Sequence, residues 1–352
     1  GPHAARGRAL VRSGVARRGT TRRDEVGLNV PHSRVSLIMC VYNAGPYLRP
    51  ALHAALRQTH PETEIIVIDD GSTDGAPDAC ADLLVEPVRF LRTPNRGRPA
   101  ALNSALDMMT GDYYTILDAD DLCEPHRVAR QVAVLDANPE LAGLFCGYDI
   151  ILDGRRMAPR FRHKDPASCA RDIEAFVMPG HDPTAMYRAS AVGDMRYDPD
   201  LRFIEAYDYV LRVGEKHPMR VLGDCLYSYR VHTASITKRD PHERQRMVAE
   251  AIRRGHRRRG MPEYTPPPLR SRLTNRDRDN NLPAHFIESV LDHRSQGALR
   301  SALRTASRCS SLHPLDLHYH KALVYALLPL PLLRSVRRGF PYATGERSSS
   351  DG

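Results

Sequence analysis

A strand-like run, Tyr113-Tyr114-Thr115-Ile116-Leu117, stops abruptly at Asp118-Ala119-Asp120-Asp121. Carboxylates so close together repel one another, and a hard divalent cation with oxygen ligands is the usual remedy. An apolar strand buried on both faces must end where charge begins. The acids therefore belong at its carboxyl end, the edge of an open parallel sheet where ligands bind. An Asp-rich turn that merely caps a helix would use the same residues, so the other strand ends must decide. The first strand-like run ends in Val41-Tyr42-Asn43-Ala44-Gly45 and the second in Asp69-Asp70-Gly71-Ser72-Thr73-Asp74. The third ends in Pro94-Asn95-Arg96-Gly97-Arg98. The Asp70 carboxylate can accept the imide N–H of a pyrimidine, and Tyr42 offers a ring to pack against it. Arg98 can meet a phosphate. Asp120, helped by Asp118, can hold a divalent ion that bridges two phosphates.

To bring four such ends to one edge, strands must alternate with helices. From Val35 to about Leu152 they do. Val35–Val41, Ile65–Ile68, Val88–Leu91, Tyr113–Leu117 and Leu141–Tyr148 read as strands. Pro46–Gln58, Ala76–Leu84, Pro99–Met109 and Pro125–Asp136 read as helices, several with a proline suited to a first turn. This pattern predicts an α/β fold with a mainly parallel, Rossmann-like sheet and helices on both faces. Beyond Asp153 the alternation is irregular. Thr184–Arg188 reads as a short strand, Tyr207–Glu215 as a helix, and Met219–Leu222 and Leu226–Val231 as two strands. From Pro241 onward the pattern is helical, which predicts a C-terminal helical extension.

A chain of 352 residues, 41% hydrophobic and 26% charged, has the makings of an ordinary globular protein with a full core. Its formal charge of +9 is crowded toward the ends. Arg6, Arg8, Arg12, Arg17, Arg18, Arg22, Arg23 and Arg34 face only Asp24 and Glu25, in a segment with little apolar periodicity that reads as a disordered arm. Net charge is the sole argument for a nucleic-acid partner. It leaves the four polar strand ends unexplained, so nucleic acid is not expected. Gly1-Pro2 resembles the remnant of a protease site and is set aside. Seven scattered cysteines, odd in number and never spaced C-x-x-C, argue against a disulfide framework or zinc site and for the cytoplasm. The longest apolar stretch, Ala322 to Leu333, is broken by Pro329 and Pro331 and is too short to span a bilayer. Arg334, Arg337 and Arg338 follow it. Residues 322–338 therefore read either as a docked helix or as a peripheral contact with the inner face of the membrane.

The stretches VSLIMCVYNAGPYL, QTHPETEIIVIDDGSTD, NRGRPAALNSAL and GDYYTILDADDLCEPHRVARQVAVLDANPE together resemble the family-2 glycosyltransferases, inverting enzymes of the GT-A fold. The resemblance implies a nucleoside diphosphate sugar donor, a hydroxyl acceptor, and Mg2+ or Mn2+ as cofactor. It implies that Asp70 reads the base, that Tyr42, between Val41 and Asn43, flanks it, and that Arg98 with Asn103 supports the donor. Asp118, Ala119 and Asp120 would serve the sugar and the metal. More thinly, HDPTAMYR resembles the acceptor-side strand and brings His181 and Asp182 near the reaction centre. LYSYRVHTASIT resembles the closing motif, whose Arg230, His232 and Ser235 would approach the diphosphate or the metal. The implied division is a basic arm (1–33), a nucleotide-sugar-binding half (34–152), an acceptor-side half (153–238), a helical region (239–338) and a tail (339–352).

One position departs from the family. The usual Glu-Asp before an aromatic-Asp helix start, whose first Asp is the catalytic base, reads Ile204-Glu205-Ala206-Tyr207-Asp208 here. Alanine cannot take a proton from an acceptor hydroxyl. Glu205 can replace the missing base, Asp208 in the same first turn can, or the base has been deliberately replaced. An inverting, metal-dependent transferase with a UDP-sugar donor is the leading expectation. A nucleotide-sugar-binding protein without turnover is the alternative. A nucleotidyltransferase would carry a Gly-rich, basic loop where Tyr42-Asn43 stand.

Overall fold

The computed structural model describes residues 33–152, 154–157, 163–231, 241–266, 282–295, 297–312, 314–329 and 331–333. The basic arm up to residue 32, His232, Ser235, the arginines Arg334, Arg337 and Arg338, and the tail lie outside the described residues.

Nine strands form one sheet: β1 (Val35–Val41), β2 (Thr63–Asp69), β3 (Val88–Arg92), β4 (Tyr113–Ile116), β5 (Leu122–Cys123), β6 (Gly143–Leu152), β7 (Arg155–Met157), β8 (Met186–Arg188) and β9 (Met219–Val231). Their order is β3-β2-β1-β4-β8-β6-β9-β5, with β7 paired to β6. The first four strands are parallel, as βαβ alternation requires. The sheet becomes mixed where β8 enters antiparallel between β4 and β6.

Ten helices accompany the sheet among the described residues. Those around the sheet are α1 (Leu48–Leu56), α2 (Arg98–Met108), α3 (Arg127–Asp136), α4 (Pro166–Glu174), α5 (Ala189–Val192) and α6 (Glu205–Gly214). The later four are α7 (Pro241–Arg258), α8 (Leu282–Ser295), α9 (Leu299–Leu312) and α10 (Leu317–Leu327). Successive residues of a strand point to opposite faces. Accordingly Leu37, Met39 and Val41 pack with α1 and α3 in one core, while Ile38 packs with α2, α4 and α6 in the other. A third core joins Ile150 and Leu152 of β6 to α8, α9 and α10. There Ala302, Ala306, Ala322 and Ala326, at helical spacing, let α9 and α10 approach closely.

Two expectations change. The helix expected over Ala76–Leu84 is a single 3-10 turn, Asp78–Cys80. Arg49 of α1 donates to the Ala79 carbonyl and binds Asp82, so an acceptor of the next helical turn is already taken. Leu83 N–H turns instead to Cys80 O at 2.9 Å. A segment this short gains too little from propagation to resist that competition. The two strands expected over Met219–Leu222 and Leu226–Val231 are one, β9. Its register against β6 shifts between Phe145 and Tyr148, so the Gly223-Asp224-Cys225 interruption is absorbed as an irregularity rather than a break.

Candidate active site

The ends of β1 and β2 are stitched to each other. Asn43, at φ +52°, donates its backbone N–H to Ser72 Oγ at 3.0 Å, and its Oδ1 accepts the Thr73 N–H at 2.8 Å. Gly45 N–H reaches Asp74 at 2.8 Å. Val41 contributes its carbonyl, which accepts the Asp70 N–H at 2.8 Å. Gly71 stands at φ +74°, where a Cβ would lie 2.8 Å from Asn95 N. Only glycine lets the β2 and β3 ends cross this closely. Asp70 is buried, and its two oxygens accept the N–H groups of Arg96 and Gly97, each at 2.9 Å. Its neighbour Asp69 accepts from Ser72 N–H at 2.9 Å and from Arg92 Nε at 2.7 Å. These acids thus shape the loop that ends at Arg98. Tyr42, which follows β1, is half-buried.

Arg98 is the centre of the acidic side. One guanidinium nitrogen donates to Asp118 Oδ1 at 2.8 Å and the other to Glu205 Oε1 at 2.7 Å. The end of β4 and the first turn of α6 therefore share one cation. Burial pushes the Glu205 carboxyl up, against the lowering effect of Arg98. Pairing alone would depress it, so desolvation outweighs the ion pair. Asp182 lies in the 3-10 turn before β8. Burial raises its carboxyl to about 6, with Arg98 and the Tyr187 hydroxyl opposing. Tyr187 donates to its Oδ1 at 3.0 Å, while its buried Oδ2 has no hydrogen-bond partner among the described residues. His181 is boxed by the rings of Tyr148, Tyr229 and Tyr227 at 5.1, 5.2 and 6.4 Å. Burial lowers its imidazole to about 4, and its buried Nε2 likewise has no partner among the described residues. Cys40 of β1 joins the same charged neighbourhood, its thiol pushed up to about 12 by burial.

The acidic turn itself is held from β9. Asp121, fully buried, accepts the Arg230 N–H and the Tyr227 hydroxyl, both at 2.7 Å. Arg230 Nε donates to the Asp120 carbonyl at 2.7 Å while the guanidinium covers the Tyr47 ring. Burial raises the Asp121 carboxyl well above the carboxylate range, and the charges of Asp120 and Asp118 add to the rise. Among the described residues no three or more His, Cys, Asp or Glu side chains form a metal cage on their own. A crowded edge of hard oxygens with surplus negative charge nonetheless fits Mg2+ or Mn2+, which bind through one or two carboxylates and complete their shells with substrate phosphates and water. Asp118 and Asp120 are the residues that would serve.

Three further residues named from the sequence are engaged by neighbours within the fold. Asn103 spends both ends of its amide on the backbone of Tyr197, at 2.8 Å each, and ties α2 to the loop before α6. Asp208 is claimed by Arg212 at 2.6 Å, with Arg258 of α7 at 3.6 Å, rather than by the Arg98 cluster. Ala119 packs into the core beneath the acidic turn. Sequence reasoning gave no role to Arg127. It is fully buried and donates to the carbonyls of Ile116 (3.0 Å) and Pro183 (2.6 Å) and to Thr115 Oγ1 (2.6 Å). It also supports Gln131, whose amide donates to Leu144 O and Thr184 O. This pair locks the end of β4 to the His181–Thr184 turn. Its signal was legible, since Arg127 and Gln131 fall in the apolar stripe of Val128, Val132 and Leu135.

Residues 36–195 match the family model described as Glycosyl transferase family 2. An uncharacterized glycosyltransferase of Rickettsia conorii is 36% identical over 135 residues, 38% of this chain and 22% of that protein. Another, of Rickettsia typhi, is 35% identical over 215 residues, 58% of this chain and 65% of that protein. Across three such relatives the matches span only 17% to 37% of their length. Among solved structures, the mannosyltransferase PcManGT from Pyrobaculum calidifontis, in complex with GDP-Man and Mn2+, is 18% identical. It covers 88% of both chains with a TM-score of 0.51, a likeness that shows the shared GT-A fold. The matched segment holds the ends of β1, β2, β3 and β4, and over it the chain is similar to glycosyl transferase family 2.

Proposed function

We propose that this chain is a metal-dependent, inverting glycosyltransferase that moves a sugar from a nucleoside diphosphate donor, UDP foremost, to an acceptor hydroxyl. One observation carries the reading: Arg98 bridges Asp118 at the acidic strand end and Glu205 at the start of α6. Transfer with inversion needs positive charge beside the departing diphosphate and a carboxylate that takes the acceptor proton. A bound Mg2+ or Mn2+ on Asp118 and Asp120 would supply charge neutralisation. Glu205 takes the proton-accepting role that Ala206 cannot fill. Its burial raises its basicity, against the lowering effect of Arg98. Asp70 keeps lone pairs beyond its two backbone bonds, and these suit the imide of uracil.

Thermal shift with UDP-, dTDP- and GDP-sugars, with and without Mn2+, tests the donor side. A uridine diphosphate sugar is expected to raise the melting temperature most, and more with Mn2+. If neither uridine nor thymidine diphosphates shift it, the donor assignment fails. Glu205→Gln is expected to keep the donor shift and lose transfer. Half-exposed Ala206 on the first turn of α6 favours a second reading, donor binding without turnover. That reading gains if the native chain is inert, binds donor, and turns over only as Ala206→Asp.

A further inference from the structure

The outer face of α10 is left bare by the fold. Tyr319, Ala322 and Ala326 turn into the third core, so the opposite side of the helix presents Leu317, Lys321, Val324 and Leu327. Leu317 is 81% exposed, Val324 58% and Leu327 68%, with Leu315 (100%) before the helix and Leu332 (55%) after it. A row of this kind, sustained over the roughly 16 Å of an eleven-residue helix, is not the scatter of single apolar residues found on any surface. The same region is basic. From Leu282 to Arg338 the sequence has eight Arg or Lys (Arg294, Arg300, Arg304, Arg308, Lys321, Arg334, Arg337, Arg338) against three acids (Glu288, Asp292, Asp316). Three of those arginines follow Leu333 within five residues.

We infer that the α10 face rests on an anionic lipid surface, its leucines and valine in the acyl boundary and its basic residues at the headgroups. No described helix is long and apolar enough to cross a membrane, so the contact is interfacial. Lys321 decides between a bilayer and a second copy of the chain. It sits mid-row, where a two-fold pairing of the face would set Lys321 against the partner's own Lys321. Against a bilayer its aliphatic stem lies along the apolar boundary while its ammonium reaches the phosphates. The excess of Arg and Lys adds attraction to anionic lipid and none to neutral lipid.

The test is co-sedimentation of the full chain with vesicles of phosphatidylcholine alone and of phosphatidylcholine with phosphatidylglycerol, beside light scattering for oligomeric state. Binding to the anionic vesicles alone is expected, weakened at high salt. The exposed-site variant Val324→Glu/Leu327→Glu is expected to lower it about tenfold or more. Because those side chains are solvent-facing, the variant should fold, and an unchanged melting temperature checks that. A chain that ignores anionic vesicles overturns the inference, as does binding that the variant leaves intact. A stable dimer abolished by the variant overturns it too, by assigning the face to a second copy. Donor thermal shift in the same samples reads the nucleotide site separately, so failure of one proposal is not mistaken for failure of the other.

Discussion

Replacing Asp182 by asparagine should make the protein more stable at neutral pH and less so in acid. The carboxyl is 2% exposed, holds one hydrogen bond from Tyr187, and carries a second oxygen buried with no partner among the described residues. Burial raises it from its ordinary 3.8 to about 6, with Arg98 and Tyr187 opposing and Asp118 and Glu205 adding to the rise. A folded-state value above the unfolded one means that the folded chain binds this proton more tightly. The associated stability is complete below pH 3.8 and is lost as pH rises through about 6. A gap of about two pH units corresponds to about 3 kcal/mol. The asparagine side chain would carry no charge and could still accept from Tyr187 through its Oδ1. Its NH2 group would inherit the unpartnered position at about 1 kcal/mol. The variant is therefore expected to gain about 2 kcal/mol at about pH 7.5 and to lose about 1 kcal/mol near pH 4. His181, lowered to about 4, contributes stability that is present above 6.5 and lost as pH falls through 4. It bends both curves alike, so it drops out of their difference. Urea unfolding of both chains across this range is the assay. A variant less stable than the native chain at neutral pH, or a gap that does not change with pH, refutes the reasoning.

Arg98→Met is expected to strand Asp118 and Glu205 without their shared cation. Breaking a buried pair costs about 3–5 kcal/mol, and the 25% exposure of the Arg98 side chain places this one near the lower end. Chemical denaturation measures the loss, and titration with a nucleoside diphosphate should show weaker binding of donor in parallel. Gly71→Ala forces a Cβ into the Asn95 backbone at a positive φ, for about 2 kcal/mol of destabilisation by thermal unfolding. An unchanged melting temperature would mean that the β2 and β3 ends do not cross as described.

How far the site could be read from the sequence depended on whether a residue acts locally or across the fold. The alternation from Val35 to Tyr148 announced a parallel sheet, because buried parallel strands such as Val35–Val41 are near-continuous apolar runs. The four strand ends followed from that alternation. Arg98 was legible as a cation at a strand end, but its partners were not. Asp118 and Glu205 lie 20 and 107 residues away, and nothing local encodes that pairing. Asn103 and Asp208 show what the sequence hides from the other side. The resemblance named Asn103 and the helix start named Asp208, but nothing local encodes the neighbours that bond them, the Tyr197 backbone for one and Arg212 with Arg258 for the other. The helix expected over Ala76–Leu84 failed for the same reason, since Arg49 took a carbonyl that helix propagation needed.

The acidic corner is built at a cost to the fold, and the form of that cost indicates what the site is for. Five acids, Asp118, Asp120, Asp121, Asp182 and Glu205, gather around the two arginines Arg98 and Arg230, which bond to the carboxylate or backbone of all but Asp182, whose carboxyl feels Arg98 through its charge. Burial and mutual repulsion raise Asp121, Asp182 and Glu205 together. A sequence selected for stability alone would replace such groups with neutral side chains of similar shape, as buried charges rarely repay their desolvation. Local violations of this sort are expected where chemistry is done. Other elements meanwhile spend strong interactions on holding the acids still: Arg127 pins the β4 end to the His181–Thr184 turn, and Arg230 with Tyr227 pins Asp121. Rigid placement of groups that repel one another has little purpose for the chain by itself. Under the proposed function it gains purpose, because a divalent cation arriving with the donor would relieve the repulsion without requiring the acids to move.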